Sequence, residues 1–303
     1  MNDGKVDWQG SYVAVVTPFT ASGEIDEAAF RANIEFVLAE GANGIVVSGC
    51  TGESWALTGE ERVGLFSIAL STVARRVPVI AGTGGISTQG VIELSQRAKD
   101  LGADGVMILP PYYCMAGRRE VIAHYQAISD AVRHPILLYN IPRRVGFNLT
   151  PEVLHELVEV DWVVAIKESS GDFIQVEATI RDVGDRISVF AGHSAERGVP
   201  AVLMGAKGFV SSMESQIMGR EAIEMYALVR RGDLKRAAEV QLRTLDLDES
   251  MRTIGTFPAN LKAGMNLLGR RGGFPRQPLL PFTSAQVEQV RGLLDRLRIR
   301  AAA

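Results

Sequence analysis

A lysine placed where an apolar strand ends is the most reactive feature of this 303-residue chain. Lys167 follows Val163, Val164, Ala165 and Ile166, so a charged group arrives just as a buried run stops. A free lysine titrates at about 10.4, leaving roughly one amine in a few thousand neutral at pH 7, and apolar burial lowers that value by about 3 units. A neutral amine there is a nucleophile. It condenses with a ketone to an iminium, which withdraws electrons and makes the adjacent carbon acidic or the next bond cleavable. The plainer alternative is an ion pair with Glu168, or a lysine at a barrel mouth with no chemical task, since structural networks also perturb lysines.

Four further constellations follow strands. Tyr139-Asn140-Ile141-Pro142-Arg143-Arg144 offers a phenol that can move protons and an arginine that can hold a carboxylate through two parallel hydrogen bonds. Packing for Tyr139 and surface charge for the arginines explain the same residues. In Gly49-Cys50-Thr51-Gly52-Glu53-Ser54 the glycines let backbone N–H groups approach a bound carboxylate, although many such loops carry Gly and Thr only for the turn. Pro110-Pro111-Tyr112-Tyr113-Cys114 presents a double tyrosine that either reaches a partner subunit or packs locally. His193, in Gly192-His193-Ser194, is expected to reach a substrate, with Phe209 and Arg144 bounding the space left for it. Other patterns carry less. Gly82-Thr83-Gly84-Gly85 fits neither nucleotide-binding spacing, and His155-Glu156 has Glu159 where a zinc motif needs its second histidine, so no metal is expected. A thiol nucleophile at Cys50 or Cys114 has no cationic partner nearby in sequence.

The elements that must position these groups are legible as a repeat. Eight β-branched, apolar segments begin at Tyr12, Gly44, Val77, Gly105, Pro135, Trp162, Ile187 and Gly208. Their near-continuous hydrophobicity suits parallel strands buried on both faces. Amphipathic stretches alternate with them: Asp26 to Glu40 ends before Gly41, Thr58 with Glu61 makes a capping box, and Thr150-Pro151 opens another helix. Eight such units predict an α/β chain closed into a (β/α)8 (TIM) barrel over residues 1–214, an open doubly wound sheet being the competitor. From residue 215 the strand signals stop. Helical patterns around Arg220 to Arg230, Asp233 to Leu245, Pro258 to Leu268 and Ser284 to Leu297 predict a C-terminal helical extension, residues 215–303, packed on the barrel.

Composition excludes several roles. With 47% hydrophobic and 22% charged residues the chain builds a large core, and Lys+Arg 32 against Asp+Glu 35 leaves no basic footprint for nucleic acid or anionic lipid. A small-molecule substrate is the expected partner. No apolar run reaches the roughly 18 residues a membrane span needs. Two cysteines and an opening, MNDGKVDWQG, without the features of a secretory signal place the chain in the cytoplasm by expectation.

Taken in order, VVTPF, GCTGES, PPYY, YNIPRRVG, AIKESSGD and GFVSS resemble the dihydrodipicolinate synthase and N-acetylneuraminate lyase superfamily of Schiff-base-forming barrels, over essentially the whole chain. The resemblance implies pyruvate, or a 2-oxo acid with a pyruvyl unit, as carbonyl partner, no cofactor, and a homotetramer built as a dimer of dimers. Residue by residue it implies that Lys167 forms the imine and that Tyr139 shuttles protons there. Thr51 and the backbone of its loop would take the pyruvate carboxylate, and Tyr113 would enter a neighbour's site across the dimer. Cys50 stands where the synthases link those tyrosines through a threonine hydroxyl, and a thiol is the weaker hydrogen-bonding group. Arg144 matches the arginine that grips the second substrate of the synthase subgroup, and sialic acid lyases lack it. They also carry acidic residues where this chain has Gly192-His193-Ser194. Trp55, Gly59, Arg62, Ile86 and Gly90 replace small or polar effector-binding residues, which implies no feedback inhibition by lysine. The expected activity is therefore condensation of pyruvate with L-aspartate 4-semialdehyde to 4-hydroxy-tetrahydrodipicolinate. Cleavage or dehydration of a 2-keto-3-deoxy sugar acid through the same imine is the second reading, and a catalytically silent 2-oxo acid-binding barrel the third.

Overall fold

In the computed structural model, which describes residues 6–300, the eight expected segments form β1 (Gly10–Ala14), β2 (Gly44–Val47), β3 (Val79–Gly82), β4 (Gly105–Ile108), β5 (Ile136–Asn140), β6 (Val163–Glu168), β7 (Ser188–Ala191) and β8 (Gly208–Ser211). All neighbours pair in parallel, and β8 returns to β1, closing a (β/α)8 barrel. The open-sheet alternative is therefore excluded. Every strand residue is buried because helices cover the outer face and side chains fill the lumen, which is why no strand alternates polar and apolar residues.

The lumen is a packed core. Trp8, Tyr12, Val46, Ile80, Met107, Leu137, Ala165, Phe190 and Val210 share one cluster, and the rings of Tyr12 and Phe190 lie 5.0 Å apart. Gly44 is required by close approach: a Cβ there would sit 2.4 Å from the Tyr12 ring. The second cluster lies outside the strands and takes in Val13, Ile45, Val47, Ala81, Val106, Leu138 and Ile166 with the inner faces of the surrounding helices. Burial of the aliphatic and aromatic side chains in these two layers, about 1.5–3 kcal/mol each, is the main driving force for closure.

Helix boundaries follow the capping chemistry. Asp26 caps Glu27–Ala39 by accepting from Ala29 N, and Thr58 with Glu61 forms the expected capping box on Gly59–Val73. Thr150-Pro151 opens Pro151–Leu157, with proline in the first turn where its missing N–H is harmless. One expectation about the C-terminal part needs correction. The stretch expected to end at Leu245 is one helix, Leu234–Ile254, because Leu247 and Met251 bury and carry a polar-looking run onward. Residue 214 falls inside the helix Met213–Met218, and Met225 and Leu228 pack beside Phe209. The chain thus passes from barrel to extension without a linker. No helix of the described residues is long and apolar enough to cross a membrane.

The extension grips the barrel through a buried ion pair. Lys262, 1% exposed on the helix Ala259–Leu267, donates to the Glu53 carboxylate, to Thr17 O at 2.7 Å and to Phe274 O at 2.8 Å. The second carboxylate oxygen of Glu53 accepts from Arg276 N at 3.0 Å. Glu53 itself holds a left-handed φ of 53°, strain that these bonds offset. Removing one partner of such a pair leaves an uncompensated buried charge and costs about 3–5 kcal/mol. Glu53→Gln is accordingly expected to lower stability by about that amount in urea unfolding; a loss under about 1 kcal/mol would show that the pair does not hold the extension in place.

Candidate active site

Which side chains enter the lumen is decided by an irregularity in β6. Its pairing with β5 runs Ile136 to Val163, then Leu137 to Ala165, so Val164 is an extra residue. The bulge reverses the strand's alternation. Val163 faces the outer layer, whereas Ala165 faces the lumen; Ile166 faces out again, and Lys167 therefore faces in. Glu168, one residue on, faces out and is engaged there: it accepts from Asn140 Nδ2 at 2.7 Å, Ser170 N at 2.6 Å and Gln175 Nε2 at 3.3 Å. The ion pair with Lys167 that the sequence allowed does not form, because adjacent strand residues point to opposite faces.

Lys167 is 7% exposed at the floor of a cavity of about 330 Å³. Tyr139 is its register partner on β5, and the amine lies over the phenol ring, 4.4 Å from the centroid. Burial lowers the lysine to about 8, with Cys50 and Glu214 pulling weakly the other way. Relative to a lysine in water, the balance moves toward the neutral amine by about 3 kcal/mol, at 1.36 kcal/mol per pKa unit. Burial, and then the nearby Cys50, push the Tyr139 phenol well above its usual range, with Arg144 and Arg143 opposing. It is a proton donor at neutral pH. Its hydroxyl donates to Cys50 Sγ at 3.8 Å, a long contact suited to sulfur.

The loop after β2 brings Cys50 and Thr51 to the same cavity. Its path is fixed by Ser48 at φ 53°, by Glu53 N donating to Cys50 O at 3.2 Å, and by Thr17 Oγ1 donating to Gly52 O at 2.8 Å. Arg144 stands on the short helix Pro142–Val145 with its guanidinium 5.5 Å from the Trp55 ring. Trp55, expected only as a departure from effector-binding residues, thus steadies a cavity arginine by a cation–π contact. His193, at φ 52°, also lines the cavity; its Nδ1 is 3.6 Å from Glu196 Oε1.

Three expected positions stand apart. Phe209 belongs to the outer cluster with Val199, Met225 and Leu228; its neighbour Val210 faces the cavity instead, since strand residues alternate and a strand apolar on both faces carries no mark of its phase. Gly192 does not line the cavity. It permits close approach of the β6 and β7 ends: a Cβ there would be 1.7 Å from Ser169 Oγ, and its N–H donates to Glu168 O at 2.7 Å. Tyr113 is 88% exposed on the loop after β4, away from the cavity of its own chain.

The sequence reading missed an acidic wall. Glu214, 3% exposed, accepts from Ser194 Oγ and from Ser212 N at 3.3 Å, and burial raises its carboxyl. Asp248, from the longer-than-expected helix Leu234–Ile254, is pushed up to about 7 by burial, opposed by Arg252 at 2.6 Å. Arg252 also meets Glu196 at 2.7 Å, and Glu196 is held below the usual carboxylate range by His193 first and then Arg197. The only advance signal was an acid two residues after the strand segment GFVSS. Among the described residues, no group of three or more His, Cys, Asp or Glu side chains is arranged to hold a metal ion.

A strand-borne lysine of lowered basicity beside a phenol, with hydroxyl, thiol, guanidinium and carboxyl groups around one cavity, is suited to forming and turning over an imine of a small oxo acid. The chain matches the Dihydrodipicolinate synthetase family over residues 7–297. It is 37% identical over 287 residues to a 4-hydroxy-tetrahydrodipicolinate synthase of Geobacter metallireducens, covering 95% of this chain and 98% of the relative. It is 36% identical to 4-hydroxy-tetrahydrodipicolinate synthase 2 of Halalkalibacterium halodurans, covering 97% and 100%. The pyruvate complex of the Acinetobacter baumannii dihydrodipicolinate synthase superposes with a TM-score of 0.90 at 32% identity, covering 96% and 99% of the two chains. A prophage protein from E. coli K12 of the dihydrodipicolinic acid synthase family, also bound to pyruvate, gives 0.92 at 28% identity with the same coverage. With the fold, the strand-end lysine and near full-length matches in agreement, this chain belongs to the dihydrodipicolinate synthetase family.

Proposed function

We propose that the protein is a class I pyruvate lyase in which Lys167 attacks the ketone and Tyr139 protonates the departing hydroxyl as the imine forms. The carboxylate of pyruvate is taken by Thr51 Oγ1 and the backbone N–H groups of its loop. Loss of a methyl proton then gives an enamine, which adds to an aldehyde whose carboxylate Arg144 holds. The favoured acceptor is L-aspartate 4-semialdehyde, giving 4-hydroxy-tetrahydrodipicolinate, in line with the names of the relatives. One observation carries the reading: a buried amine lowered to about 8, lying over Tyr139, with the adjacent acid Glu168 bonded elsewhere.

A specific observation also supports the second reading, cleavage or dehydration of a 2-keto-3-deoxy sugar acid. His193, Glu214 and Asp248 offer several hydrogen-bonding groups to the same cavity, more than an aldehyde with one carboxylate requires. Release of pyruvate from such acids would mark cleavage, and consumption without pyruvate would mark dehydration. We infer further that the enzyme is a cytoplasmic homotetramer of tight dimers, with Tyr113 entering the partner's site. Its 88% exposure beside Met115, 75% exposed, supports a surface that another subunit covers.

Three outcomes are expected. Borohydride reduction with pyruvate adds a covalent adduct at Lys167, absent in Lys167→Ala. The rate of adduct formation rises about tenfold between pH 7 and 9 and then levels, as a neutral amine titrating at about 8 requires; a rise continuing past pH 10 would indicate an ordinary exposed lysine. With aspartate semialdehyde, Arg144→Leu raises KM for the aldehyde at least tenfold, while no condensation by the wild type rules out the synthase assignment. Finally, inactive Lys167→Ala and Tyr113→Ala chains, refolded together, regain part of the activity if sites are shared across a dimer, and stay inactive if each chain is self-sufficient.

A further inference from the structure

We propose that Glu214 is a second proton-transfer group of this site, delivering a proton to the oxygen of the acceptor aldehyde as the new carbon–carbon bond forms. The inference rests on the imine reading above and names a residue that this reading leaves without a task. Glu214 is almost fully buried, lines the same cavity as Lys167, and is fixed by bonds from Ser194 Oγ and Ser212 N. A buried carboxyl that is neither paired with a cation nor replaced by an apolar residue is costly to keep, and cavities are where such groups find use.

The step that needs an acid is identifiable. When the enamine carbon attacks the aldehyde carbon, the new bond takes the enamine electron pair and the carbonyl π pair collapses onto oxygen. That oxygen must be protonated. Among the described residues the Tyr139 hydroxyl reaches onward only to the Cys50 thiol, at 3.8 Å, so a relay through that position is a poor supply. A neutral Glu214 carboxyl gives its proton to the oxygen and is left as a carboxylate facing the cationic iminium. Water then hydrolyses the imine, and the proton this releases restores the carboxyl, so protons balance over a turnover. Burial raises the Glu214 carboxyl above the usual carboxylate range, opposed first by the Ser194 hydrogen bond, then by backbone hydrogen bonds, and last by Lys167. The other charged groups at the cavity are Asp248 and Arg252 from the extension, Arg143 and Arg144 from the helix Pro142–Val145, and His193 after β7, which meets Glu196.

The experiment uses the full-length protein with pyruvate and, as acceptors, aspartate semialdehyde, glyceraldehyde and glyoxylate, taking whichever the wild type turns over fastest. Glu214→Gln preserves size and hydrogen bonding but cannot donate an acidic proton. Expected is unchanged borohydride trapping at Lys167, a fall in kcat of at least about 100-fold with KM for pyruvate unchanged, and loss of the decline that the wild-type rate shows as pH rises through the Glu214 titration. Condensation within threefold of wild type, trapping and condensation falling together, or the high-pH decline persisting would each overturn the role. Should Glu214→Gln fail to fold, Ser194→Ala decides: trapping kept with condensation at least tenfold slower supports the role, and an unchanged rate overturns it. A wild type that traps pyruvate but condenses with none of the three aldehydes overturns the functional reading and this role together, whereas an active wild type beside an equally active Glu214→Gln overturns this role alone.

Discussion

A primary amine that has lost its water must either find a counter-charge or hold its proton less tightly, and this protein contains one lysine with a counter-charge beside it and one without. Lys262 and Lys167 are both buried and both lowered to about 8 by desolvation. Around Lys262 stand a carboxylate and two carbonyls, which satisfy the three donors of an ammonium and make it a fastener between extension and barrel. Lys167 instead lies over the face of a tyrosine ring, 4.4 Å from its centroid, worth roughly 1–2 kcal/mol to a cation and therefore unable to repay the lost hydration. The same burial thus produces a structural ion in one place and a nucleophile in the other.

The scaffold maintains that difference in simple ways. Beneath the site the lumen is packed solid by Tyr12, Phe190 and Trp8, so water reaches the amine only from the cavity. To its side, on the outward face of β6, Glu168 is bonded by Asn140 from β5 and Gln175 from the helix Phe173–Val183, which keeps the adjacent carboxylate from neutralising the lysine. Above, the helix Leu234–Ile254 closes part of the cavity with Asp248 and Arg252, so the extension is part of the site as well as a cover for the barrel. Its hold on Glu53 also fixes the loop that carries Thr51.

Much of this was legible in the order of residues. Unbroken apolar segments separated by amphipathic ones specify buried parallel strands alternating with helices, and the caps at Asp26 and Thr58 mark helix starts because their hydrogen bonds are local, as Pro151 does by its fixed backbone. The chemistry of Lys167, Tyr139 and Arg144 was equally visible, since each stands at a strand end or just beyond it. Facing was harder to read. In a strand apolar on both sides the phase has no signature, which is why Phe209 was expected where Val210 stands.

The sequence by itself determined the barrel, the helical extension and the lysine that the fold presents, because periodicity, capping and a charge at the end of an apolar run are properties of neighbours along the chain. Only the tertiary structure decided that Lys167 turns inward and Glu168 outward, through the extra residue Val164 in the β5–β6 pairing. Likewise only folding brought Glu214, Asp248 and Arg252 to one cavity, across strand ends and an extension helix far apart in the chain. Register and long-range packing are set by the fit of separate elements against one another, and no local pattern encodes that fit.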